Sequence, residues 1–205
     1  MAYSAQQTEH LNAECRRIAD ELQALNFEGL GQSNRVKSDR VIEHLRHGAG
    51  RRLGILKRSM EEIFSVFPPA QERPLGHDRL VGVQINLHAF VINLAGIFDN
   101  WAWAFIFRHE LLERVGGRIN VGLFKSATLR FLPAPLRDYL TSRDISSWQD
   151  KYLKSYRDAL AQRIPLYIPP AAWSPEDTAR YERLEQEKVQ CILSRQWERL
   201  VACNS

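Results

Sequence analysis

The chain has 205 residues, 44% apolar and 25% charged, which suits a single domain over residues 1–205 whose core needs no metal or disulfide support. Three cysteines, Cys15, Cys191 and Cys203, are odd in number, widely spaced and form no Cys-x-x-Cys pair; this argues against a disulfide framework and a thiolate zinc site and fits a reducing, cytoplasmic setting. The net charge of +4, with a pI of about 9.1, favours polyanionic partners mildly. The polar stretch from Met1 to His10 has no apolar run of the kind a signal peptide carries.

Leu11, Cys15, Ile18, Leu22 and Leu25 recur at spacings of four and three, which predicts a first helix over Gln6–Asn26 ended by Glu28-Gly29-Leu30-Gly31. A second helix starts near Ser33 or Ser38 and runs to Val66, with Val41, Leu45, Leu56 and Ile63 on its seam. Pro68-Pro69 closes it, since proline lacks the amide hydrogen and disfavours helical geometry in the residue before it. After a polar connector, Ala70–Asp78, the most apolar helix spans Arg79–Val115 and stops at Gly116-Gly117. Gln84, Asn86, His88, Asn93, Asp99 and Asn100 interrupt it, so it reads as a central buried helix and not a membrane span.

The stretch Arg118–Tyr139 reads as a long, partly ordered crossover with one short helix over Pro135–Leu140. Ser147–Arg163 is the next helix, with Trp148, Tyr152, Tyr156, Ala159 and Leu160 along one side; Pro165, Pro169 and Pro170 forbid its continuation. Ser174 caps a last helix, with Pro175 at its first position and Glu176 and Asp177 at its positive end, running past Trp197. No segment alternates with the period of a strand. The expected architecture is all-α, an antiparallel bundle of about five helices.

The segment Tyr156-Arg157-Asp158-Ala159-Leu160-Ala161-Gln162-Arg163-Ile164-Pro165-Leu166-Tyr167-Ile168-Pro169-Pro170 resembles the signature of the HEPN superfamily, an arginine and a polar residue followed at short spacing by a histidine. The apolar block Gly96-Ile97-Phe98-Asp99-Asn100-Trp101-Ala102-Trp103 is similar to one bacterial branch of it; the two blocks together cover about a quarter of the chain. The resemblance implies a HEPN-like bundle, a homodimer that assembles its site across a two-fold axis, RNA as target, and metal-free cleavage by the RNA 2′-hydroxyl. It also implies a toxin–antitoxin or antiphage setting, with room for a partner protein. Cofactors are expected to be none.

The sequence departs from the signature where cleavage needs it: Gln162 stands at the histidine position, and Asp158 replaces the commoner asparagine. Glutamine forms hydrogen bonds but does not titrate, and loss of a general acid or base costs about 10²–10⁴ in rate. Arg157 and Gln162 lie about 140° apart around an ideal helix, whereas Asp158 and Gln162 share a face. The degenerate motif Arg157, Asp158 and Gln162 is therefore the candidate site for a weak or inactive ribonuclease. An active nuclease using another group, and a helical interaction module with no nucleic-acid role, are the competing expectations. Read without the resemblance, Arg157, Asp158 and Arg163 make an ordinary solvated helix end.

Arg163 and a stripe of Arg40, His44, His47, Arg51 and Arg58 on the second helix are candidate RNA-phosphate contacts, the alternative being a solvated face with few aromatics interleaved. His44 and His47 are three apart but have no third ligand at metal spacing, so no metal site is expected. Asp99 and Asn100 are expected as buried polar support inside the bundle, with a nearby arginine as partner.

Overall fold

The computed structural model describes residues 3–71, 73–163, 166–168 and 175–194; of residues 162, 175–178 and 191 only the backbone is described. The described residues are helical throughout their regular structure, with no strand. Helix α1 spans Ala5–Ser33. Helix α2 (Asp39–Ile42), a π-helical stretch π1 (Glu43–Gly50) and α3 (Arg51–Val66) follow one another without a break as a single rod. Helix α4 (His77–Arg108) is the longest element and packs antiparallel against that rod. Beyond it come a 3-10 turn (Arg118–Asn120), α5 (Ser126–Leu129) and α6 (Ala134–Thr141). A second rod is built from α7 (Arg143–Trp148), the π-helical stretch π2 (Gln149–Lys154) and α8 (Ser155–Gln162). Helix α9 covers Pro175–Leu193.

The seam between α4 and the first rod organises the bundle. Leu53, Leu56 and Ile97 form its buried centre, with Leu22 of α1 packed on them. Asn100 lies over Gly48, where an added Cβ would fall well inside contact distance of the amide; Arg52 lies over Gly96 in the same way. Asn100 Nδ2 donates to Gly96 O (2.9 Å) and Arg52 Nη1 donates to Asn93 Oδ1 (3.0 Å), so the polar groups at the seam are satisfied locally. Trp103 faces His44 and Phe107 faces Arg40. Residues four apart on an α-helix drift by about 40°. The wider π1 turn offsets that drift, which keeps Arg40, His44, Gly48 and Arg52 in line along α4.

Several sequence expectations are corrected. Helix α1 runs through its glycines to Ser33, because the first rod reaches back and fixes its end. The buried Ser33 hydroxyl donates to Leu30 O (2.7 Å) and accepts from Arg46 Nε (2.7 Å), and Arg46 also bonds Asn34. Its start is a capping box: Gln7 N donates to Ser4 Oγ (3.2 Å) and Ser4 N to Gln7 Oε1 (2.9 Å). The first rod starts after Ser38 and ends at Val66 as expected. Helix α4 ends at Arg108, seven residues early, where Glu110 takes a positive φ of 54° and turns the chain back. Leu111 and Val115 then belong to the next core.

The crossover is packed, not partly ordered. Ala102, Ile106, Val121, Leu123, Leu132 and Leu140 enclose a second core at the end of α4. Fully buried Thr128 ties it together, donating to Asn120 O (3.0 Å) and accepting from Gly122 N (3.2 Å). The second rod begins at Arg143, four residues before the expected start, and α8 ends at Gln162. Pro165, Pro169, Pro170, the Ser174 cap and the extension past Trp197 lie outside the described residues.

Gly48→Ala is expected to lower stability by about 1–2 kcal/mol, since overpacking outweighs the gain in helix propensity. The measurement is urea unfolding of Gly48→Ala, Asn100→Ala and the double variant. Removing the amide should recover part of the loss, so additive single effects would contradict a direct Gly48–Asn100 contact.

Candidate functional site

Helix α8 stands against α4, and this contact brings the two sequence blocks of interest together. Arg157 is half-exposed on α8 and donates from both Nε (3.0 Å) and Nη2 (2.6 Å) to one oxygen of Asp158. That hydrogen bond, aided by the Arg157, Lys154 and Arg163 charges against some desolvation, holds the Asp158 carboxyl below its usual range. Asp99 of α4 is exposed at the surface, which corrects the expectation of a buried carboxylate; the 100° turn per residue sets it on the open side of α4, away from the core position of Ile97. Enough protein surrounds it that desolvation raises its pKa, opposed by the charges of Arg157, Lys125 and Arg52, in that order. Charges from three other elements thus act on Asp99: Arg157 of α8, Lys125 of the crossover and Arg52 of the first rod.

Asn100 is half-buried; its amide donates to Gly96 O and lies over Gly48. Gln162 closes α8, and its side chain is outside the described atoms. Arg163 follows in extended geometry and is exposed. The basic stripe divides by neighbour. Arg58 is neutralised by Glu62 on the next turn, which weakens it as a phosphate contact. His47 and Arg51 are exposed. Arg40 lies over the Phe107 ring (5.4 Å), and His44 stacks on Trp103 (5.9 Å, 13° between planes). Aromatic groups therefore do interleave with this stripe. They come from α4, which the spacing on the second helix alone does not reveal.

Sequence reasoning missed Lys125 altogether and did not single out Arg52. No sequence pattern links Lys125 to Asp99; Arg52 carried a weak signal, since Gly96 opposite it leaves room for a guanidinium. Among the described residues no group of three or more His, Cys, Asp or Glu side chains gathers as a metal-binding set.

The far side of the second rod borders a groove of about 610 Å³ against α4, walled by Phe90, Leu94, Trp148, Tyr152 and Tyr156 with Tyr167 across it. Tyr152 and Tyr156 are exposed, and their rings form walls of the groove. His88 holds the segment over the groove: Nε2 lies 3.0 Å from Leu166 O and must carry the proton, because a carbonyl only accepts.

The charge arrangement gives a titration test. A carboxylate whose folded pKa is raised contributes stability below its ordinary value of about 3.8 and loses it as pH rises through the folded value. Asp99→Asn should therefore raise the Tm at pH 7 and leave it unchanged near pH 3. Carboxyl NMR should show Asp99 titrating above its ordinary value, and higher still in Arg157→Ala; a downward move would rule out the Arg157–Asp99 attraction. Compared with protein-family models, characterised proteins and solved structures, the chain matches none, so the argument for function rests on these residues and their surroundings.

Proposed function

We propose that this chain is a degenerate HEPN-like protein: a homodimeric, cytoplasmic RNA-binding or regulatory module with little or no ribonuclease activity, acting in a toxin–antitoxin or antiphage system. The observation that carries the reading is the packing of α8 on α4, the helices that carry the two signature-like blocks, with the charges of Arg157, Lys125 and Arg52 all acting on Asp99. A phosphodiester entering this cluster is attracted by three cations against the Asp99 and Asp158 carboxylates. Arg157, already oriented by Asp158, offers its remaining N–H groups to phosphate oxygens. Cleavage by the 2′-hydroxyl also needs proton movement, and α8 ends on an amide that cannot supply it.

The expected result is RNA binding without efficient turnover. In a cleavage assay on single-stranded RNA without metal, wild type and Arg157→Ala should both be near background. Gln162→His should gain activity, up to the roughly 10²–10⁴ that a proton-transfer group supplies. Strong wild-type cleavage abolished by Arg157→Ala would favour an active nuclease using another group.

The open face of α4 supports self-association. Only 28% of its most apolar eighteen-residue stretch is buried. Val81 (37% exposed), Ile85 (61%) and Ile92 (39%) lie within about 40° of arc, on the side that carries Asp99. That stretch is long and apolar enough to cross a membrane by length and composition. A second copy covering it would set two Arg157 sites near one axis, and the same face would serve an interaction module without RNA. Sedimentation equilibrium should give a dimer for wild type and a monomer for Ile85→Glu; a monomeric wild type would remove the shared-site reading.

A further inference from the structure

We infer that the crossover between α4 and α7 is a second RNA-backbone contact surface, centred on an arginine pair clamped to Phe131; this rests on the RNA-binding reading above and extends it away from Arg157. Arg114 and Arg130 each place Cζ 4.8 Å from the centroid of the Phe131 ring. The ring is anchored in the core at the end of α4, and Arg130 also donates to the Arg114 carbonyl. Both guanidiniums are therefore held by the aromatic ring, and that of Arg130 also by a backbone oxygen. Neither makes an ion pair with a carboxylate among the described residues, whereas Arg17, Lys57, Arg58, Arg137 and Arg157 all do.

Two positive charges on one ring are at most roughly 10 Å apart, a range over which physiological salt, with its Debye length of about 8 Å, screens them incompletely. A dedicated carboxylate would relieve that repulsion, and none is paired with them here. A stacked guanidinium keeps its outer N–H groups free and has little rotamer freedom left to lose, which suits repeated contact with phosphates.

The charge count points the same way. Between α4 and α7, over residues 109–142, there are five Lys and Arg against three Asp and Glu, a net of +2 in a chain whose net charge is +4. Continuity with the site selects RNA over an anionic membrane or an acidic protein. Lys125 and Arg130 flank the single turn of α5, about 7.5 Å apart along it, and Lys125 is one of the cations acting on Asp99 beside Arg157. A strand whose phosphate sits at Arg157 is thereby led over Lys125 to the arginine pair.

The test is fluorescence anisotropy of a labelled single-stranded RNA with the full chain at several salt concentrations, comparing wild type, Arg114→Ala/Arg130→Ala, Arg157→Ala and Arg17→Ala. Far-UV circular dichroism of each variant checks that the exposed substitutions leave the fold intact. The double variant should bind about tenfold or more weakly, with its log–log salt slope shallower by about 1.4, the value for two lost phosphate contacts on a single strand. Arg17→Ala, at a guanidinium paired with Glu14 and Glu21 on α1, should match wild type. If Arg157→Ala weakens binding while the double variant keeps wild-type affinity and slope, the crossover surface is refuted and the Arg157 reading stands. If wild type binds no RNA, both fall. Binding to phosphatidylserine vesicles but not to RNA would assign the pair to a membrane and overturn the inference.

Discussion

The approach of α4 to the first rod is the constraint on which the rest of the molecule depends. A long helix with Asn93 and Asn100 in its middle cannot be buried among apolar side chains without leaving amide groups unmet. Here the amides turn back onto their own helix, at Ala89 O and Gly96 O, and the opposing rod meets them with Gly48 and the Arg52 guanidinium. Because Gly48 has no side chain, Asn100 can lie flat against the rod. Because Gly96 has none, Arg52 can cross α4 toward the side where Asp99 stands. Seam packing and site electrostatics are thus set by the same pair of glycines.

Neutralisation, more than the number of basic residues, sorts the surface. Arg17 with Glu14 and Glu21, Lys57 with Glu61, and Arg58 with Glu62 are helix-surface pairs whose charge is largely spent locally. Arg40, Arg114 and Arg130 are held instead by phenyl rings, which position a guanidinium without cancelling its charge. Arg157 is intermediate. Asp158 uses two of its donors on one oxygen, and the remaining donors and the nearby carboxylate of Asp99 leave a site of mixed sign. Such a site orients an anion better than it concentrates one, and the crossover supplies the missing positive excess.

Much of the fold was legible from spacing. The Pro68 stop, the start near Ser38, the short helix near Pro135 and the end of α8 near Arg163 all follow from local chemistry that tertiary contacts do not override. The misses share a cause. The end of α1 is fixed by Arg46 from a different helix, and the crossover core depends on Thr128 bonding Asn120 and Gly122, contacts with no periodic trace in the sequence. At the site, Arg157 and Asp99 were each visible as unusual residues, but their meeting was not, because spacing fixes faces only within one helix. Lys125 and the Phe131 clamp had no signal, since a lysine in a turn and an arginine beside a phenylalanine are commonplace until the chain folds back.

On the proposed reading, an arginine with no titratable group at the histidine position has a physical logic of its own. Binding a phosphodiester draws on charge and hydrogen-bond donors, which Arg157, Arg52 and Lys125 carry. Cleaving it requires in addition a group that exchanges a proton near neutrality, and the end of a helix, where the dipole favours a protonated imidazole, is a suitable place for one. An amide at Gln162 keeps hydrogen-bonding capacity at that helix end and removes only the proton chemistry. Affinity and turnover thereby separate into different residues. On the proposed reading, the groups that hold the phosphate are Arg157, Arg52 and Lys125, and the helix end at Gln162 adds hydrogen bonds without turnover.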